Sequence, residues 1–268
     1  MHHVLLLVSL VFFTPVEPLG NPIGRISNGF NGAENAVVPV GRFPFIVSVT
    51  SNDNHICGGF IYNSRFIVTA ASCVYQKTTS QVQVTVGQRS LILPDPDESR
   101  LQLRDIIIHE AYNHTTRFND IAMLETSQAL EFGPYVNYTL YNAVSGGLAY
   151  ISGWGAFDES KMLSTKLREA IVNSPNSCDL FPVDIFDQNT MFCWGQSVLD
   201  AGVRPCQFDE GSPFIIPTSS TTFYVAGIVS KNLGCGDSDI FETIYTRLTA
   251  YYGWMTRTGG LQPSLEIE

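Results

Sequence analysis

Long apolar runs are scarce in this chain of 268 residues. The most apolar stretch, Val4 to Phe13, falls short of the roughly 20 residues that a membrane-spanning helix needs. It reads as the core of a secretory signal peptide, with residues 1–20 as leader and a cut between Thr14 and Arg25. Neither an A-x-A site nor an amino-terminal Lys or Arg accompanies it. No other window would anchor the chain, so no membrane partner and a soluble, secreted, extracellular protein are expected. Basic residues are also few, 15 Lys and Arg against 25 Asp and Glu, for a net charge of −10. Phosphate backbones and acidic headgroups bind clustered cations, so nucleic acid is excluded as a partner. Helix signals are sparse, and no internal repeat stands out.

What the chain does have is short runs of β-branched and aromatic residues between Gly, Pro, Asn and Asp. Examples are FPFIVSV from Phe43, FIVTAA from Phe66, QVQVTV from Gln81, LQLRDIII from Leu101 and FYVAGIVS from Phe223. Many short strands with regular turn signals indicate an all-β barrel or sandwich. A break near EFGPYVNYT, Glu131 to Thr139, divides the strands into two sets. One helix is predicted from Leu248, its face formed by Leu248, Tyr251, Tyr252 and Met255. Residues 258–268 read as a flexible tail. Six cysteines in an exported chain suggest three disulfides, whose connectivity the spacing leaves open. Sequons for N-glycosylation stand at Asn113 and Asn137.

Eight landmarks then occur in order: Arg25-Ile26, CGGFI from Cys57, VTAASC from Val68, NDIAML from Asn119, SGWG from Ser152, CQFDEGSP from Cys206, GIVS from Gly227 and IYTRL from Ile244. Together they resemble the secreted serine proteases of the trypsin/chymotrypsin family, single-domain arthropod members above all, from about Arg25 to Arg257. The resemblance implies two six-stranded antiparallel β-barrels with a cleft between them and a C-terminal helix. It divides the chain into a propeptide at 21–25, a first barrel over about 26–132 and a second over about 133–247, the whole domain ending at 257. It also implies the pairs Cys57–Cys73, Cys178–Cys193 and Cys206–Cys235.

The same resemblance implies that the chemistry is gone. Where the family carries its general-base histidine, this chain has Ser72, whose hydroxyl cannot accept and return a proton near neutral pH. Where the family carries its nucleophilic serine stands Glu210. The orienting acid survives as Asp120, with its hydrogen-bonding neighbour as Ser230. Losing base or nucleophile costs on the order of a million-fold in turnover, about 8 kcal/mol of barrier. Phe208 replaces the glycine whose N–H helps form the oxyanion hole, and Ser212 replaces a glycine behind it. His55 reads as a structural histidine, with an ion pair to Asp209 or Glu210 as its alternative, while His109 and His114 belong to a loop or the barrel surface. A carboxylate pair of Asp120 and Glu210 is the one remaining chemical possibility. Against it stands a Glu210 directed at solvent or at a cation.

The pocket positions have changed as well. Arg204 stands on the floor, Lys231 and Asn232 replace a Trp-Gly pair, and Thr243 replaces a glycine. An Arg204–Glu210 bridge closing the pocket follows as an expectation. Arg25-Ile26 resembles the activation site, with Asp209 as acceptor of the new α-amino group, although Ser27 and Asn28 depart from the usual pattern. Gln88 and PDPDES from Pro94 lie where some relatives bind calcium, but the neutral amide makes a solvated acidic loop the expectation, and no metal or cofactor is predicted. The chain therefore reads as a secreted, catalytically inactive protease homologue that binds a protein partner, as regulator, cofactor or decoy in a proteolytic cascade. The alternatives are an esterase or endopeptidase with residual or unconventional activity, and a secreted structural or carrier protein.

Overall fold

The computed structural model describes residues 37–144, 147–156, 162–172, 174–175, 178, 181, 184–195, 205–232 and 242–263. The signal and propeptide segments, Arg25, Ile26, Arg204 and Cys235 lie outside these residues.

The first half forms six strands: β1 (Ile46–Ser51), β2 (Asn54–Ile61), β3 (Phe66–Thr69), β4 (Val82–Val86), β5 (Ser99–Ile108) and β6 (Ala122–Thr126). They close into a barrel in the order β1-β2-β3-β6-β5-β4. Bulges between Val49 and Thr50 and between Leu103 and Asp105 supply the bending that closure needs. The inner positions are aliphatic: Val47, Val49, Ile67, Val84 and Leu124 have no measurable exposure. A four-residue helix, α1 (Ala71–Val74), leaves β3 directly and carries Ser72.

The second half forms β7 (Ala149–Gly153), β8 (Arg168–Val172), β9 (Ser174–Pro175), β10 (Met191–Gly195), β11 (Pro213–Pro217), β12 (Phe223–Asn232) and β13 (Glu242–Arg247). Here the expectation of two six-stranded barrels is corrected. These strands form a seven-stranded sheet in the order β8-β7-β11-β12-β13-β10-β9, and it is not closed. Among the described residues β8 pairs with no strand but β7 and β9 with none but β10, so no ladder of backbone hydrogen bonds joins the two edges.

The C-terminal helix is present, with its face shifted. Leu248–Tyr251 form a 3₁₀ turn before α2 (Tyr252–Gly259). The tighter winding changes the phase, so that Leu248, Tyr251, Trp254 and Met255 are buried while Tyr252 is 56% exposed. Thr258 and Gly259 belong to this helix, and Gly260 and Gln262 after it are pinned. The Gly260 carbonyl accepts from the Tyr62 hydroxyl at 2.8 Å, and Gln262 donates to the carbonyls of Tyr62 and Thr139. Of the segment read as a flexible tail, the described part is held at Gly260 and Gln262, and residues 264–268 lie outside the described residues.

Barrel and sheet share one core. Trp154, Ile215, Val225 and Ile228 from the second half pack into the cluster that fills the barrel. Trp154 is fully buried, and its indole N–H donates to the Arg89 carbonyl at 3.2 Å. Replacing Trp154 with Ala should therefore cost about 3–5 kcal/mol, measurable as a lowered midpoint in urea unfolding. A cost under about 1 kcal/mol would mean that the two halves do not depend on this ring.

Candidate functional site

The site lies on the seam between barrel and sheet and is built around carboxylates. Asp120, just before β6, is completely buried. Its Oδ1 accepts the Ser72 N–H at 2.7 Å, and its Oδ2 accepts the hydroxyls of Ser72 at 3.1 Å and Ser230 at 2.7 Å. Burial pushes its carboxyl above the ordinary range, and these donors oppose that shift. The Ser72 hydroxyl spends its proton on Asp120, so it is a donor here and not a base.

The histidines are engaged elsewhere. His55 Nε2 lies 3.1 Å from the Phe208 carbonyl, which can only accept, so Nε2 carries the proton. Nδ1 then accepts from the Ser48 hydroxyl at 2.8 Å. Burial lowers this imidazole to about 4, against a smaller opposing pull from the Phe208 carbonyl. His55 is thus a neutral structural histidine that fixes the Phe208 peptide, packed beside Trp154. His109 accepts the Ala111 N–H through Nδ1 and packs against Tyr251 and Trp254. His114 is exposed and stacks on Tyr75.

The CQFDEGSPF segment supplies the other two acids. Asp209 is 2% exposed, and its carboxylate accepts the N–H groups of Gly155 at 2.8 Å and Cys206 at 2.9 Å. A β-carbon on Gly155 would stand 2.1 Å from Asp209 Oδ2, so only glycine permits this approach. Burial, with the Glu210 charge as the smaller cause, pushes Asp209 up to about 7. Among the described residues no cation forms a salt bridge with it.

Glu210 turns back on its own loop. Phe208 stands at φ 75°, the left-handed region that favours glycine, and its N–H donates to Glu210 Oε2 at 2.9 Å. Asn232 Nδ2 donates to Glu210 Oε1 at 3.3 Å, and the Arg117 guanidinium lies 3.8 Å from that oxygen. Gly211 at φ 78° makes the next bend, where a β-carbon would stand 2.4 Å from the Gly58 carbonyl. Ser212 Oγ fills the space beside Gly58, 2.0 Å from where a β-carbon there would sit. Among the described residues the cation beside Glu210 is Arg117, which the motifs do not mark. Its nearest sequence signal is the Asn-Thr-rich turn NHTTRFND that precedes Asp120. Asp120 and Glu210 share no hydrogen bond and satisfy separate donors.

The remaining predicted positions fall as follows. Lys231 is 9% exposed, donates to the Ile185 carbonyl and lies over the Phe118 ring; burial lowers its ammonium to about 8. Thr243 is buried on β13 opposite Trp194 and Asn232. Cys57 is bridged to Cys73 and Cys178 to Cys193, and Cys206 is disulfide-bonded as well. In the loop after Gln88, Asp95 accepts the N–H groups of Arg89 and Ser90 and the Arg89 guanidinium at 2.6 Å. That acid is thus held by protein donors. Asn113 is exposed and Asn137 half-buried.

Residues 34–255 match the family described as Trypsin. Trypsin I-P1 of Gallus gallus is 29% identical over 262 residues, covering 95% of this chain and 97% of that protein. Trypsin alpha of Drosophila erecta is 29% identical over 243 residues, 88% of each chain. Transmembrane protease serine 9 of Rattus norvegicus is 31% identical over 249 residues, 89% of this chain but 22% of that protein.

The buried acid Asp209 makes stability depend on pH. Its raised carboxyl favours folding below the unfolded value of 3.8, and that contribution is lost as pH rises through about 7. The full swing is on the order of 4 kcal/mol. Asp209→Asn should remove the swing, so the uncut variant gains on its parent as pH goes from 4 to 7 in paired urea titrations. His55, which titrates in both proteins, cancels in the difference. A parallel pair of curves would contradict the burial of Asp209 without a cation among the described residues.

Proposed function

The chain belongs to the trypsin family, and from that premise we propose that it is a secreted, non-catalytic member that acts by binding another protein, as regulator or cofactor in a proteolytic cascade. The observation that carries this reading is the pair of contacts at the triad positions. Ser72 gives its hydroxyl proton to Asp120, and Glu210 places its carboxylate on the Phe208 N–H. A general base, a nucleophile and a free donor for a developing oxyanion are all needed for acyl transfer. Here the first two positions carry a hydroxyl donor and an anion, and the third is bonded to that same anion. A carboxylate beside the scissile carbonyl would also repel the negative charge that forms in the transition state.

The surviving regulatory part fits the same reading. Asp209 waits in a buried site with two N–H donors. A cut after Arg25 would free the Ile26 α-amino group to enter it, as the family resemblance implies. Trypsin-treated protein should then lose the pH-dependent difference between Asp209→Asn and its parent. Persistence of that difference after the cut would show that the new terminus does not reach Asp209.

An activity test is equally direct. A fluorophosphonate probe should leave the purified, trypsin-treated protein unlabelled. In the double variant Ser72→His, Glu210→Ser, restored labelling would show that the catalytic groups alone were lost, whereas a silent variant would assign an independent part to the pocket residues. Labelling of the unmodified protein at an activated serine would overturn the non-catalytic reading.

A further inference from the structure

We propose that Arg117 and Glu210 form a latch that closes the cleft of this protein against an extended peptide strand, so that it does not serve as a substrate-like decoy in its resting state. The proposal rests on the non-catalytic reading above and narrows it.

An incoming strand needs backbone donors and acceptors that the host sheet has not used. Ser230 is such a position. The register between β12 and β13 slips between Val229 and Lys231, and Ser230 has no partner in either neighbouring strand. Its carbonyl is left outside the ladder, where a strand could pair with it. Arg117 Nη1 donates to that carbonyl at 2.7 Å. On the facing loop, the Phe208 N–H is the matching free donor, and Glu210 Oε2 takes it at 2.9 Å. The two occupying side chains lie 3.8 Å apart, with Asn232 donating to the same carboxylate. One backbone acceptor and one backbone donor of the cleft are thus filled from within, by side chains of opposite charge.

The loop that delivers Arg117 is built to hold it. Asn113 Oδ1 accepts the N–H groups of Thr115 and Thr116, and the Arg117 N–H returns to the Asn113 carbonyl at 2.7 Å. Arg117 and Asn119 stand at φ 55° and 53°, a left-handed geometry that non-glycine residues keep only when their surroundings impose it. Asn119 is fixed from both sides, donating to the Ala111 carbonyl and accepting from the Tyr251 hydroxyl. The side chains remain partly solvated, Arg117 at 37% and Glu210 at 15% exposure, so the latch can open without unfolding the core.

The test uses a Kunitz-type inhibitor, a protein that presents a rigid extended loop, as probe in surface plasmon resonance. The full chain is compared with Arg117→Gly, Glu210→Ala and the double variant. Glycine suits the left-handed backbone at Arg117, so that variant keeps the fold while removing the side chain. The parent should bind weakly or not at all, and the double variant at least tenfold more tightly, with each single variant between. Equal binding by parent and double variant, or no binding by any folded variant, overturns the latch. Hydrogen exchange supplies an independent reading: residues 109–119 should exchange faster in Glu210→Ala than in the parent, and an unchanged rate counts against the proposal. Fluorophosphonate labelling of the parent would refute the non-catalytic reading by itself and leave the inhibitor comparison to decide the latch.

Discussion

A carboxylate taken out of water must find hydrogen-bond donors, and the seam between barrel and sheet has to satisfy three of them. Asp120 and Asp209 are almost wholly buried, and Glu210 is mostly so. Leaving any one without partners would cost several kcal/mol. The arrangement of the site follows from how each acid is satisfied. Asp120 takes two hydroxyls and a backbone N–H, Asp209 takes two backbone N–H groups, and Glu210 takes one backbone N–H, an amide and a distant guanidinium.

These solutions are linked through Phe208. His55 holds the Phe208 carbonyl while Glu210 holds its N–H, and the residue between these contacts stands in a conformation normally given to glycine. Asp209, next in sequence, then turns inward towards Gly155. A histidine lowered to about 4 and an aspartate raised to about 7 lie on either side of one peptide group. Both shifts come chiefly from burial, and the polar atoms of both groups are taken up by the protein's own backbone and side chains.

Much of this was legible in the sequence because family motifs fix position as well as identity. Ser72, Asp120, Glu210, Phe208, Asp209 and Ser230 all meet at the seam. Arg117 escaped because a lone arginine in a loop has neither periodicity nor motif spacing to mark it. Its importance arises from a turn geometry that only coordinates reveal. The second barrel fails for a similar reason, since a strand pattern marks strands but not which of them pair, and β8 and β9 each pair with one strand only among the described residues. Tyr252 was placed on the buried face by a uniform helical period, and the 3₁₀ turn ahead of it rotated that face away. Arg204, whose bridge to Glu210 was expected, lies outside the described residues.

The central claim is that the Glu210 carboxylate occupies the Phe208 N–H, the donor an acyl-transfer enzyme would keep free. The most direct measurement is the Phe208 amide proton resonance of the folded protein beside that of Glu210→Ala. The account predicts a strongly hydrogen-bonded, downfield amide proton that moves upfield in Glu210→Ala. A Phe208 amide proton at the same position in both proteins would contradict it.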